Sequence, residues 1–252
     1  MNTITFIFLC LAGFLAAFVD SMAGGGGIIS VPAFMAAGLP PHIVLGTNKF
    51  AATTGSLTSS LNYIKSGKCN FKLIKILGPF TLVGSILGVK AVLLIDESFL
   101  QPLVLVLVLA IGIYTFFSKS IGKENSFKGL NKKNIFLSII LALSLGFYDG
   151  FFGPGTGSFL IFGLIKILKV DFLTASANSR ILNFISNISS LIIFALSGNI
   201  NYLIGIPVCI FMIFGAKMGT RLAIKKGSKV IKPIFVTMSL AVAAKLLLDM
   251  FT

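Results

Sequence analysis

Ala23-Gly24-Gly25-Gly26-Gly27-Ile28-Ile29-Ser30-Val31-Pro32 is the stretch on which the reading of the fold turns. Four successive glycines do not sit inside a continuous helix, because each costs helix stability relative to alanine and leaves backbone bare. The run separates two uncharged apolar arms, Thr3 to Val19 and Ile28 to Ala37. In lipid, irregular backbone is tolerated only where it is buried in protein or lines a polar cavity, and such breaks are where many transporters hold substrate.

A second break repeats the first. Gly153-Pro154-Gly155-Thr156-Gly157 also follows an apolar segment, with Asp149 just before it as Asp20 precedes the first run. Gly27 and Gly157 stand 130 residues apart, as do Asn48 and Asn178. One residue further on the register continues at 131. Ser66-Gly67-Lys68-Cys69-Asn70-Phe71 then aligns with Ser197-Gly198-Asn199-Ile200-Asn201-Tyr202, Gly84 and Gly88 with Gly215 and Gly219, and Pro102 with Pro233. This register reads as a duplication: a first transmembrane repeat over residues 1–117, a polar cytoplasmic linker over 118–133, and a second repeat over 134–252.

The broad class follows from composition. The 252 residues are 56% apolar and 11% charged, with 25 Phe, and the mean hydropathy is +1.01. Uncharged runs such as Ser98 to Ser118 and Ile181 to Ala216 would leave a soluble domain without polar surface. The expectation is an all-α integral membrane protein, multi-pass, in the cell (inner) membrane, with the lipid bilayer as its surroundings.

A formal net charge of +14 invites a nucleic-acid reading until the cations are placed. Lys65, Lys68, Lys72 and Lys75 form one cluster, Lys119 to Lys133 a second, Lys166 and Lys169 a third, and Lys225 to Lys232 a fourth, all between apolar segments. That is the excess expected of cytoplasmic loops, and no nucleic-acid partner is expected. The same rule predicts spans over Ile43 to Ile64, Lys72 to Ile95, Phe99 to Phe117, Phe172 to Ser197, Tyr202 to Ile224 and Val230 to Phe251, with the halves in opposite topology. Each trio is preceded by a broken hairpin, Thr3 to Ala37 or Ile135 to Leu168. The fold expected is thus two inverted-topology repeats, each a glycine-broken hairpin plus three transmembrane helices. A cleaved signal peptide is not expected, since Met1-Asn2-Thr3 has no basic residue and the segment recurs in the second half.

Cys10, Cys69 and Cys209 show no pairing pattern, His42 is the sole histidine, and no Cys, Asp or Glu cluster has ligand spacing, so neither metal nor cofactor is expected. Catalytic residues are not expected either, for want of a histidine pair, a nucleophile with its base or a close carboxylate pair. No Gly-x4-Gly-Lys-Ser/Thr motif is present.

The chemistry left is at and just after the breaks. Helices starting at Gly27 and Thr156 would present unsatisfied amides carrying partial positive charge, which suits a small anionic substrate. Candidate binding residues there are Gly24, Gly25, Gly26, Gly27, Gly153, Gly155, Thr156 and Gly157, with Ser158 as a further hydroxyl donor. Each following apolar segment adds a cation a few residues in: Thr47-Asn48-Lys49 and Asn178-Ser179-Arg180, with Asn183 and Asn187 further along the Arg180 helix. A cation so placed needs a cavity or a partner. Lys49 and Arg180 would neutralise the anion; alternatively Lys49 pairs with Asp20 and Arg180 with Asp149, and both readings hold together if the pairs gate the site. Asp20 and Asp149 are the candidates for proton coupling or gating. The Gly84/Gly88 and Gly215/Gly219 pairs read as helix-packing faces.

These motifs, from Gly13 through Asp20-Ser21 into Gly24 to Pro32, then Gly38-Leu39-Pro40-Pro41-His42, Leu45 to Lys49, and Gly146 to Gly157, resemble the TauE/SafE sulfite-exporter family over nearly the whole chain. Arg180 stands where that pattern leads one to expect lysine. The resemblance implies a duplicated bacterial permease, linked in some members to export of sulfite, sulfoacetate and other sulfur-containing organic anions. The function expected is export of such an anion by ion-gradient-coupled alternating access; alternatives are a passive anion channel and a membrane-embedded enzyme. Oligomeric state is not readable from the sequence.

Overall fold

The computed structural model describes residues 3–100, 102–104, 106–107, 126–127 and 129–226. Among the described residues the helices are α1 (Thr3–Ala23), α2 (Gly27–Ala36), α3 (Pro41–Lys65), α4 (Phe71–Leu93), α5 (Lys132–Phe151), α6 (Thr156–Leu168), α7 (Phe172–Leu196) and α8 (Tyr202–Lys226). A further helical stretch begins at 97. Most of the expected spans over 99–117 and 230–251, and most of the linker, lie outside the described residues.

The helix starts are written in the sequence. Asn70 caps α4 by accepting from Leu73 N at 3.1 Å, and Asn201 does the same for Ile204 N at the start of α8. Asn131 and Asn134 form a reciprocal capping box at α5. Asp171 accepts from the Thr174 amide at 3.0 Å and its hydroxyl at 2.6 Å to begin α7. Both glycine runs break the chain as expected, with positive φ at Gly24, Gly25, Gly153 and Gly155.

Among the described residues, α1, α4, α5, α7 and α8 are long and apolar enough to cross a membrane. The arms after the breaks are short: α2 has 10 residues and α6 has 13, against the roughly 20 a crossing needs. α3 is as long as α7 but less apolar overall, because one side of it carries Asn48, Lys49, Thr53, Ser56 and Ser59, all buried. α7 buries a matching stripe, including Ser176, Arg180, Asn183, Ser186 and Asn187. Large apolar side chains such as Leu15, Leu87, Phe136, Ile206 and Phe214 lie exposed on the outside. Polar inside and apolar outside is the packing of a protein solvated by lipid.

Small residues let the backbones approach. A Cβ on Gly84 or Gly88 of α4 would run into the α5 backbone at Leu143 or Phe147, and one on Gly215 or Gly219 of α8 into the α1 backbone at Phe14 or Phe18. These are the packing faces the sequence predicts. α1 thus pairs with α8, and α4 with α5. The contacts also fix direction. Phe14 and Phe18 meet Gly215 and Gly219 in order, so α1 and α8 run parallel; Gly84 and Gly88 meet Leu143 and Phe147, so α4 and α5 do too. α3 and α7 run antiparallel, since Lys49 meets Asn187 while Cys69, just past α3, meets Ala177.

Candidate functional site

The two glycine breaks touch. A Cβ on Gly24 would overlap the backbone of Gly157 and Ser158, and one on Gly27 would lie 2.9 Å from the Pro154 Cα. Ser158 Oγ ties the contact by donating to Ala23 O at 3.1 Å. The start of α2 and the start of α6 therefore sit together, α2 packed on α3 and α6 on α7.

Beside this junction lies a cavity with an empty volume of about 480 Å³, open mouth included. Its walls hold Asp20, Gly26, Gly27, Asn48, Lys49, Asp149, Gly153, Gly155 and Gly157, all singled out by the sequence, together with Ser30, Asn183 and Asn187. Two ion pairs stand around it, Lys49–Asp149 buried on both sides and Arg180–Asp20 with a buried cation and a part-exposed acid. Lys49 Nζ lies 3.0 Å from Asp149 Oδ2, and Arg180 Nη1 lies 2.5 Å from Asp20 Oδ2. The pairing is crossed: each cation meets the acid of the other half, where the sequence reading had weighed pairs within each half. The reason is the junction itself, which carries the α5–α6 tip over α3 so that Gly153 and Asp149 face Lys49.

Each pair has polar support. Asp20 Oδ1 accepts from the Gly26 amide at 3.1 Å, which ties the acid to the first break. Asp149 Oδ2 accepts from Ser186 Oγ and, at 3.4 Å, from Asn183 Nδ2. Lys49 also donates to Asn187 Oδ1 at 3.1 Å, and Asn187 in turn donates to Asn183 and Ser56. Ser30 Oγ donates to Asn48 Oδ1 at 2.6 Å. Charges this deep are tolerated because they are paired and hydrogen-bonded, and removing one partner strands the other. Two cations against two carboxylates leave the site neutral as it stands.

Other expected site residues lie elsewhere. Gly24 forms the junction rather than the cavity wall, and Gly25, with φ of +89°, turns the chain at the break without lining the cavity. Thr47 Oγ1 accepts from the Asn201 amide at 2.9 Å, and Asn178 Oδ1 accepts from the Asn70 amide at 2.8 Å, so this pair latches the two corresponding loops to α3 and α7. Thr156 Oγ1 donates to Gly153 O at 2.7 Å and closes the second break. Ser179 is fully buried, and its hydroxyl has no partner among the described residues. Arg180 is shut behind Gly157. Ser30, Ser56 and Ser186 escaped the sequence reading; Ser186 lies three residues beyond Asn183 on one helix face, and that spacing was the available signal.

A neutral, ion-paired cavity at the meeting point of two broken helices, inside a bundle with an apolar exterior, is the build of a multi-pass membrane transporter. The chain belongs to the sulfite exporter TauE/SafE family, whose sequence profile matches residues 9–246. It is 36% identical over 243 residues to a probable membrane transporter protein of Haemophilus influenzae, covering 96% of this chain and 94% of that one. It is 35% identical to the probable membrane transporter protein YfcA of Escherichia coli K12, covering 96% and 89%. The probable membrane transporter protein YunE of Bacillus subtilis is 24% identical over 274 residues, covering 97% and 98%. These names are those of transporters, not enzymes. No solved structure matches the chain.

Proposed function

We propose that the protein carries a small sulfur-containing anion, such as sulfite, sulfoacetate or a related sulfonate, across the bacterial inner membrane. It exports the anion by alternating access coupled to an ion gradient. The observation that carries the reading is the crossed pair of salt bridges at the touching helix starts. An anion entering the cavity competes with Asp149 for Lys49, and the pairs must open for it to pass. Gly26, Gly27, Asn48, Gly153, Gly155 and Gly157 form the wall that receives it, while Asp20 and Asp149 act as gates. The sulfur chemistry and the direction rest on the family description.

The parallel and antiparallel packing supports inverted repeats over 1–117 and 134–252, joined by a cytoplasmic linker at 118–133. α1 and α3 run together against α5 and α7, their counterparts in the second half. Touching tips and closed ion pairs favour a carrier over an open channel. Proteoliposomes containing the purified chain test the reading with ³⁵S-labelled sulfite. Saturable flux, accelerated by sulfite on the opposite side and lost in Lys49→Ala, is expected. Flux that is linear in concentration and shows no acceleration would sink the carrier.

A further inference from the structure

Arg180 is the largest fully buried side chain among the described residues, and most of its hydrogen-bonding capacity is unused. Nη1 donates to Asp20 at 2.5 Å, while Nε and Nη2 have no partner among the described residues. A buried donor without an acceptor is costly, and two on one cation mark a place where an acceptor is missing. The two idle groups are not scattered. Nε–H and the neighbouring Nη2–H share the side edge of the planar guanidinium and point the same way, at the spacing of two oxygens on one oxyanion.

The edge also has a direction. Nη2 faces Gly157, where a Cβ would collide with it. Gly157 is the second residue of α6, and it lines the cavity. One glycine backbone therefore separates the idle edge from the cavity, at a helix start whose amides favour negative charge. A counter-ion for Asp20 needs a single N–H group; a lysine would serve it without leaving a fork behind.

We infer that the Nε/Nη2 edge of Arg180 is the docking edge for an anion that presents two oxygens from one centre, and that it selects against single-atom anions. This deepens the transport reading and rests on it. Docking follows when the start of α6 draws back from α7. Asp20 stays on Nη1 while the anion docks and parts from it only at passage, so Arg180 receives the anion without first giving up its own partner, whereas Lys49 must leave Asp149 for the anion to enter. The two cations thus have different tasks: Lys49 opens, and Arg180 discriminates.

The test uses the full chain in detergent, with methanesulfonate, sulfite, acetate and chloride as probes. Calorimetry of the wild type is expected to give at least about tenfold tighter binding of methanesulfonate or acetate than of chloride. Arg180→Lys, which keeps the charge and removes the fork, is expected to reduce that preference to within about threefold. Should Arg180→Lys fail to fold, Arg221→Lys leaves Arg180 as the only arginine for phenylglyoxal to modify. Methanesulfonate is then expected to slow modification, and chloride not to. Equal binding or protection by chloride, no binding of any two-oxygen anion, or an unchanged preference in Arg180→Lys overturns the inference. If acetate docks while both sulfur anions fail, the docking edge stands and the sulfur reading falls. If sulfite flux persists with Arg180→Lys unaltered, transport stands and the docking edge falls.

Discussion

Lys49 Nζ and Asp149 Oδ2 lie 3.0 Å apart, with both side chains almost wholly buried. A hundred residues of chain separate them, yet neither is tolerable in this interior without the other. Lys49→Ala strands a buried carboxylate, and Asp149→Ala strands a buried ammonium. Each single variant is expected to lose about 3–5 kcal/mol of stability, and the double variant to recover most of it. Thermal unfolding of the four proteins in detergent gives the coupling directly. Additive losses would mean that the pair contributes nothing as a pair.

Gly24 and Gly38 share a left-handed backbone, with φ of +83° and +80°. They differ in surroundings: a Cβ on Gly38 meets nothing within 4 Å, while one on Gly24 overlaps Gly157 and Ser158. Gly38→Ala is expected to cost only the backbone strain, about 1 kcal/mol. Gly24→Ala should cost at least twice that and abolish transport, because it wedges the two breaks apart. Comparable melting temperatures for the two variants would refute the tip-to-tip contact.

Thr47→Val and Asn178→Leu each leave a loop amide without its acceptor, a loss of about 1–3 kcal/mol. Both are expected to lower the melting temperature while leaving anion affinity within about twofold. A tenfold loss of affinity with the melting temperature unchanged would return these two residues to the binding site.

Asp171 titrates outside the spans. Burial acts to raise its pKa, but hydrogen bonds from Thr174 and from the Leu173 amide, with Lys68 nearby, outweigh it and hold the carboxyl below its usual range. A depressed carboxyl contributes stability that is present above its unfolded pKa and is lost as pH falls through the folded value. Asp171→Ala is therefore expected to cost about 1 kcal/mol near neutral pH, as a lost cap. The gap to wild type should narrow below about pH 4. A gap that widens in acid would reverse the sign and refute the cap.

The glycine breaks and the starts of α3, α4, α7 and α8 are legible to within a few residues, because each has a local cause: bare backbone, an Asn or Asp cap, a change of composition. The crossed pairs are not. Which acid meets Lys49 is decided by the tip of α5–α6 lying over α3, a tertiary fact no spacing near Lys49 encodes. Thr47 and Asn178 stand off the cavity wall for a different reason. Successive residues on a helix point about 100° apart, so a triplet such as Thr47-Asn48-Lys49 cannot face one cavity throughout. Asn48 and Lys49 turn inward, and Thr47 turns to the 197–201 loop.

The pairing of α1 with α8 bears on how the chain is made. Gly13, Phe14 and Phe18 of α1 pack on α8, which emerges some two hundred residues later. Lys49 lacks its partner until α5 brings Asp149, and Asp20 lacks its partner until α7 brings Arg180. The cavity wall is therefore completed last by α7 and α8, which add Asn183, Asn187 and Met212. A ribosome stalled just before Arg180 leaves a nascent chain in which Asp20 has no cation to meet, the kind of species that quality-control proteases can recognise.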